Sequence, residues 1–253
     1  VESNGNANML FVDGGENRVG VGTGTPSDIF QVNHPSVKAS SIRSNATNTD
    51  AYFAVGNSDL SDFILLFGGH SGNTASTVGW DDSNDLRFAT YQNHTGTFGA
   101  EAMRISSAGI VTKPLQPAFN CRLGAGNQST LAVNTTHTIL FTEIFDQGAD
   151  FASNTFTAPV TGRYQLQSNL YINSMDSDTS FFQLILVTSN KQYYAIIDPR
   201  AFDSDPGQCS LQIAVLADMD ASDTAVVKLQ LGSGGSAQSS IYNNSNFSGF
   251  LAC

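Results

Sequence analysis

Four histidines, three cysteines and several clusters of aspartate are the residues to weigh first for catalysis or metal binding. His34, His70, His94 and His137 are scattered among polar turns, at spacings that build neither a metal site nor a catalytic dyad. Gly68-Gly69-His70-Ser71-Gly72 approaches a nucleophile elbow. The Gly-x-Ser-x-Gly pattern needs a glycine where Asn73 stands, so Ser71 is not read as a nucleophile. The Gly20–Gly24 run lacks the helix that would cradle a phosphate, and Gly232–Ser236 lacks the Gly-Lys-Ser/Thr ending of a phosphate loop. Cys121, Cys209 and Cys253 follow no metal or redox spacing and cannot all pair within one chain. They are expected to be buried small hydrophobes.

The aspartates carry more weight. Asp218, Asp220 and Asp223 crowd one loop, Asp81, Asp82 and Asp85 another, and Asp203-Ser204-Asp205 a third. Oxygen-rich loops suit calcium, although none has the ligand spacing and closing glutamate of an EF-hand. Solvated turn carboxylates are the simpler reading; calcium on Asp218, Asp220 and Asp223 is the cofactor left open. Glutamate is scarce, with Glu2, Glu16, Glu101 and Glu143 the only four. A pair of carboxylates set in a groove to cut glycan is therefore poorly supplied, and no catalytic site is expected. Asn-x-Ser/Thr sequons at Asn45, Asn93, Asn127, Asn134, Asn243 and Asn246 are what chance yields in so Asn- and Ser-rich a chain.

The background is acidic and strand-forming. Only 13% of the 253 residues are charged, and 11 Lys and Arg against 22 Asp and Glu leave a net charge of −11. Phosphate repels such a surface, which argues against nucleic acid and anionic lipid as partners. No apolar run approaches the roughly 20 residues of a membrane helix, so no membrane insertion is expected. Hydrophobic residues reach 40%, including 17 Phe, enough for a core. The abundance of Gly, Ser, Thr and Asn favours strands and turns over helices. A start at Val1, without Met or signal peptide, suggests a fragment or a processed product.

Short apolar runs at regular spacing, separated by turn residues, predict an all-β chain. Residues 1–33 hold strands around Met9–Val12, Arg18–Val21 and Ile29–Val32, with Pro26 blocking further pairing. Residues 34–113 form a thin β-rich unit, with strands expected at 51–55, 62–67, 77–80 and 85–89 and a hairpin over 102–111. Its apolar content is too low for comfortable stability alone, which points to oligomerisation or to wrapping around a partner chain. Residues 114–116 make a stiff linker between Lys113 and Pro117. Residues 117–253 then alternate cleanly. Tyr164, Leu166, Leu170 and Ile172 fall on one face of a strand, with Gln165, Gln167 and Asn169 on the other. Eight to ten such strands fit a jelly roll.

Phe156-Thr157-Ala158-Pro159 followed by Gly162-Arg163-Tyr164 resembles the central motif of the complement component 1q globular-head family. Pro117-Ala118-Phe119 is similar to that family's opening strand, and Ser245 to Leu251 to its closing strand. Asp223-Thr224-Ala225-Val226 resembles its Gly-Asp-x-Val element, with Ser222 where glycine is expected. The resemblance implies a ten-stranded jelly roll over 117–253, related to tumour necrosis factor and packing as a homotrimer. Leu10–Gly14, Arg18–Thr23, Pro26 and Phe30–Val32, with Leu86–Phe88 and Ala102–Gly109, resemble elements of bacteriophage tail fibres and related adhesion proteins.

Together these resemblances imply a fibre shaft ending in a receptor-binding head. Such a protein attaches a virion to a host-cell surface glycan or protein and is joined to upstream fibre and virion proteins. A secreted complement-type lectin or adhesin is the alternative, and a glycan depolymerase a lesser one. Tyr164, Phe156, Phe247 and Phe250 are expected in the core. Counting strand directions back from the closing strand places the loops 173–179, 199–208 and 232–245 at the tip. The loops 188–192 and 218–223 fall at the opposite end. Phe202, Asp203, Asp205, Tyr242, Asn243 and Asn244 are the expected receptor contacts, since exposed aromatics and small polar groups stack on sugars or anchor interfaces.

Overall fold

The computed structural model describes residues 10–21, 23–26, 30–32, 51–56, 63–68, 77–80, 83–91, 98–124 and 126–253. His34, His70, His94, Ser71, Asp81, Asp82, Asn45 and Asn93 lie outside the described residues. Among the described residues the regular elements are strands, apart from one short 3-10 turn at Pro199–Ala201. Contacts divide the chain into two units: residues 1–86 with 106–108, and residues 87–105 with 109–253.

In the first unit, β1 (Phe11–Asp13) and β2 (Arg18–Val21) form an antiparallel hairpin. Asp13 closes its turn by accepting from the amides of Gly15 and Glu16, and Asn17 takes a positive φ of 52°. β3 (Phe30–Val32) runs parallel to β2. Between them the Arg18 guanidinium donates to the Pro26 carbonyl at 3.1 Å. β4 (Ala51–Gly56), β5 (Phe63–Gly68) and β6 (Thr77–Trp80) make an antiparallel meander. The second unit begins with β7 (Leu86–Tyr91, of which Leu86 ends the first unit), β8 (Phe98–Ile105) and β9 (Val111–Thr112), in that order across a small sheet. The expected final hairpin is present, with Ile105 opposite Val111 and Gly109 at a positive φ of 79°.

The remaining strands build a sandwich. They are β10 (Ala118–Leu123), β11 (Thr135–Thr138), β12 (Phe141–Asp146), β13 (Phe151–Ala152), β14 (Thr155–Thr157), β15 (Gly162–Asn173), β16 (Phe182–Thr188), β17 (Gln192–Ile197), β18 (Gln208–Met219), β19 (Thr224–Leu231), β20 (Ser240–Ile241) and β21 (Asn246–Leu251). One sheet has the order β12-β10-β21-β15-β18, with β20 added beside β15. The other has the order β13-β14-β19-β16-β17, with β11 added beside β19. Every described pairing within them is antiparallel, and the opening strand β10 lies beside the closing strand β21. This strand order is a jelly roll of two six-stranded layers.

Alternation decides the core. Tyr164, Leu166, Leu170 and Ile172 of β15 are fully buried, as their spacing predicts. Phe119 stands at the centre, stacked on Phe156 at 4.6 Å and Phe151 at 5.4 Å, with Phe247 edge-on at 5.0 Å. These four rings come from both sheets and tie the layers together. Phe250 is the correction: it is 51% exposed. It sits three positions after Phe247, an odd step along a strand, so it must face the opposite way. The cysteines are a second correction, because only Cys121 is buried while Cys253 is exposed and Cys209 is half-buried.

The local motif residues have physical reasons. The Tyr164 hydroxyl donates to the Val160 carbonyl at 2.8 Å, satisfying the polar end of a buried ring. A Cβ on Gly162 would strike Leu251 Cδ1 at 2.6 Å and the Cys253 carbonyl at 2.7 Å, so only glycine lets the C-terminal strand close there. Ala158 donates its amide to Asp223 and accepts from Ser222, which locks the strand start to the turn before β19. Ser222 holds a φ of 77°, a left-handed backbone that favours glycine. Ser222→Gly should therefore stabilise the head by about 1 kcal/mol, read as a melting temperature raised by a few degrees; a lower melting temperature would contradict this account of the turn.

Candidate functional site

Both ends of the sandwich are defined by hydrogen bonds. At the base, Leu251 donates its amide to Pro117, and Arg163 donates to the C-terminal Cys253 carbonyl. The turn 188–191 joins the turn 218–224 there. Asn190 Nδ2 reaches the Asp218 carbonyl and Asp223 Oδ2, and the Thr224 amide donates to Ser189 Oγ. β15 and β18 are each 12 residues long. At about 3.3 Å per residue, the other end stands roughly 35 Å away.

At that tip, the loops after β15, before β18 and between β19 and β21 converge. Asp205 is the meeting point of all three. One carboxylate oxygen accepts from the Ser177 amide at 2.8 Å and its hydroxyl at 2.6 Å, and the other from Gln238 Nε2 at 2.8 Å. Backbone bonds from Ser174 to Gly207 and from Met175 to Pro206 run alongside. Asp176 makes the second knot from inside the tip. It is buried, and accepts from the Asp178 amide, the Ser236 amide and the Ser236 hydroxyl. Gly234 and Gly235, at φ 88° and 71°, wrap the backbone around it. A Cβ on Gly235 would meet the Asp176 carboxyl at 2.7 Å. The glycine loop thus cradles a carboxylate of its own chain, not a phosphate.

The electrostatics follow from these donors. The Ser177 hydroxyl, then the Ser177 amide and Gln238, hold the Asp205 carboxyl down from 3.8 to about 2. Burial pushes the Asp176 carboxyl up, yet the Asp178 and Ser236 donors outweigh it and leave the value below the ordinary one. A depressed carboxylate stabilises the fold above its unfolded value and loses that contribution as pH falls through its folded value. The Asp205 tie should therefore hold above about pH 4 and loosen as pH falls towards 2, visible as shifts of the Ser177 amide and Gln238 side-chain resonances in NMR. Asp205→Asn should remove that transition; its persistence in the variant would assign it to another group.

The expected contacts fall out unevenly. Phe202 is 45% exposed on the tip loop, and Asp203, Asn243 and Asn244 are exposed as well. Tyr242 is half-buried and lies against Tyr171, with ring centroids 5.5 Å apart. The Asn243 amide donates to Asn127 Oδ1 at 3.3 Å, which brings a fourth loop to this end. Asp205 is exposed too, with its carboxylate held by Ser177 and Gln238. The loop 124–134 and the carboxylate Asp176 were missed by sequence reasoning; the paired glycines Gly234-Gly235 were the signal that something fills the loop.

The chemistry-bearing candidates do not assemble. Asp223 is occupied by the Asp220 amide and Asn190, and Asp220 by the Thr161 hydroxyl. Among the described residues no three His, Cys, Asp or Glu side chains form a group that could hold a metal ion. His137 Nε2 is bonded to the Ala132 carbonyl at 2.9 Å. Burial, with Glu143 and Asp146 nearby, pushes the Cys121 thiol up to about 12, far from a reactive thiolate. No described helix is long and apolar enough to cross a membrane.

No family model matches the sequence, and no curated protein matches it. Among solved structures, this chain is similar to the globular domain of the zebrafish complement 1qA protein, at 17% identity and a TM-score of 0.39, covering 55% of this chain and 98% of that one. It is also similar to murine APRIL at pH 8.0, at 12% identity and a TM-score of 0.40, covering 54% of this chain and 98% of that one. The jelly-roll assignment rests on the strand order above.

Proposed function

We propose that this chain is the receptor-binding end of a trimeric virion fibre, a non-catalytic protein that attaches to a host-cell surface glycan or protein. The observation that carries this reading is the tip itself. Three loops rich in Ser, Asn, Gly and Asp are knotted into one rigid surface, at the end of the sandwich opposite Pro117 and Cys253. A chain held at its base presents these loops outward. Tyr242, Phe202, Asn243 and Asn244 supply an aromatic and amide surface fitted to sugar hydroxyls or to a polar protein. The shaft, upstream fibre proteins and a place in the virion follow from the motifs of the first hundred residues.

Self-association is the second part of the proposal. The outer face of the β12-β10-β21-β15-β18 sheet exposes Phe145, Leu216 and Phe250 at 51%, 55% and 51%. Phe145 and Phe250 flank a groove of about 260 Å³ with Gln165, Gln167 and Ser248. Three copies sharing such faces would multiply weak tip contacts by avidity.

The test is the double variant Tyr242→Ala, Asn243→Ala. Losing an interface anchor costs about 2 kcal/mol or more. Binding of the protein to host cells should therefore fall at least about 30-fold, while mass and melting temperature stay unchanged. Normal binding by this variant, with loss on changes in Asp218–Asp223, would move the site to the base.

A further inference from the structure

At the base of the head, the turn 146–151 between β12 and β13 grips the chain that arrives from β9. Gln147 Nε2 donates to the Lys113 carbonyl at 2.9 Å and to the Gln116 carbonyl at 2.8 Å, and the Gln147 amide donates to the Ala118 carbonyl at 2.9 Å. The gripped segment is itself folded, with the Gln116 amide on the Lys113 carbonyl at 3.1 Å. Gln116 Nε2 reaches on to the Leu251 carbonyl at 2.6 Å. The linker 114–116 is thus bound to the head, and one exposed glutamine of the turn supplies two of its bonds.

That turn is built around two carboxyls and stores strain. Asp146 shapes it by accepting from the Gly148 amide at 3.4 Å and the Phe151 amide at 2.8 Å. Ala149 holds a φ of 57°, a left-handed backbone that costs any residue with a Cβ. The Asp150 carboxyl lies over Gly148, in space that a Cβ there would fill. Asp150 Oδ2 is shut off from solvent and has no hydrogen-bond partner among the described residues. Burial, then the Asp146 charge, push the Asp150 carboxyl above the ordinary carboxylate value. The surrounding groups do not relieve it. Tyr164 of β15 feels the Asp150 charge, and Glu143 and Cys121 lie near Asp146. β13 and β14 bring nothing titratable, and Lys113 is the one charged residue of the gripped segment. Among the described residues no cation pairs with Asp146 or Asp150. A proton on Oδ2 removes the opposed charge and turns an orphan acceptor into a donor, with the Asp146 carboxylate as the acceptor beside it.

We propose that the turn 146–151 is a proton-operated latch. With a proton on the Asp150 carboxyl the turn is closed, and Gln147 holds the segment 113–116 against the head. With the proton lost to solvent, two like charges face each other, the turn loosens and the segment is released. The sign follows from linkage. A carboxyl raised above its unfolded value stabilises the fold below that unfolded value and loses the contribution as pH rises through the folded one. The latch is therefore tight in acid, at about pH 4 and below, and loose towards neutral pH. The Asp205 tie at the tip runs the other way and loosens in acid. The latch stands apart from the receptor-binding reading, since it needs no ligand and lies at the opposite end of the head.

The test follows hydrogen exchange of the Gln116 amide in the full chain between about pH 4 and about pH 7, corrected for the intrinsic rate, with the Leu166 amide of β15 as reference. Protection of Gln116 should fall roughly fivefold or more across that range as the buried oxygen loses its proton, with Leu166 unchanged. Asp150→Asn keeps a neutral group of the same shape and should hold protection at the acid level throughout. Gln147→Ala cuts the grip and should leave Gln116 poorly protected at every pH, while the Asp150 carboxyl, read by carbon NMR, still titrates above the ordinary carboxylate range. Protection of Gln116 that stays constant with pH in the wild type would overturn the proposal. So would a pH dependence that persists in Asp150→Asn, because another group would then drive it. If Asp150→Asn does not fold, the wild-type and Gln147→Ala series decide the question between them.

Discussion

Phe247→Ala should cost the head about 3–5 kcal/mol, a large part of the stability of a domain this size. The ring is fully buried and touches Phe119, Phe141 and Phe151, which come from both sheets. Removing it leaves a cavity that the stacked Phe119, Phe151 and Phe156 rings cannot fill without separating. The companion variant Phe250→Ala, three residues away on the other face, should leave the unfolding free energy of the isolated protomer within about 1 kcal/mol of wild type. Thermal unfolding of both checks the pair. Equal losses would mean that β21 is registered differently from Phe250 opposite Ala118.

Asp176→Ala is expected to loosen the tip with the sandwich intact. Three donors converge on this buried carboxylate from Asp178 and Ser236. Removing it strands them, at about 1–3 kcal/mol for each donor left unsatisfied, and roughly 3 kcal/mol in all once water reaches the opened loop. Because Gly234 and Gly235 are shaped around the carboxylate, the 232–239 loop should lose hydrogen-exchange protection along with Thr179, which donates to the Gly234 carbonyl. Host-cell binding should fall in parallel, since the loop carrying Tyr242 would no longer be held. Protection and binding both unchanged would show that Asp176 does not organise the tip.

Much of this architecture was legible in the residues. The alternation of Tyr164, Leu166, Leu170 and Ile172 fixed which face of β15 is core, because burial in a sheet follows a period of two. Strand counting placed the tip loops on one end, because antiparallel neighbours reverse direction. The same rule, applied to Phe247 and Phe250, would have placed Phe250 outside; motif resemblance overrode it. Asp205, one of the expected receptor contacts, also ties Ser177 to Gln238. A carboxylate's donors come from loops far apart in sequence, and spacing alone does not reveal them.

The account centres on a head that works as a self-associated unit with its tip outward. The most direct measurement is the mass of the purified chain at micromolar concentration by light scattering. The account predicts about three times 26.8 kDa, dissociating when Phe250 is replaced by Asp. A clean monomer at 26.8 kDa, unchanged across concentration, would contradict it.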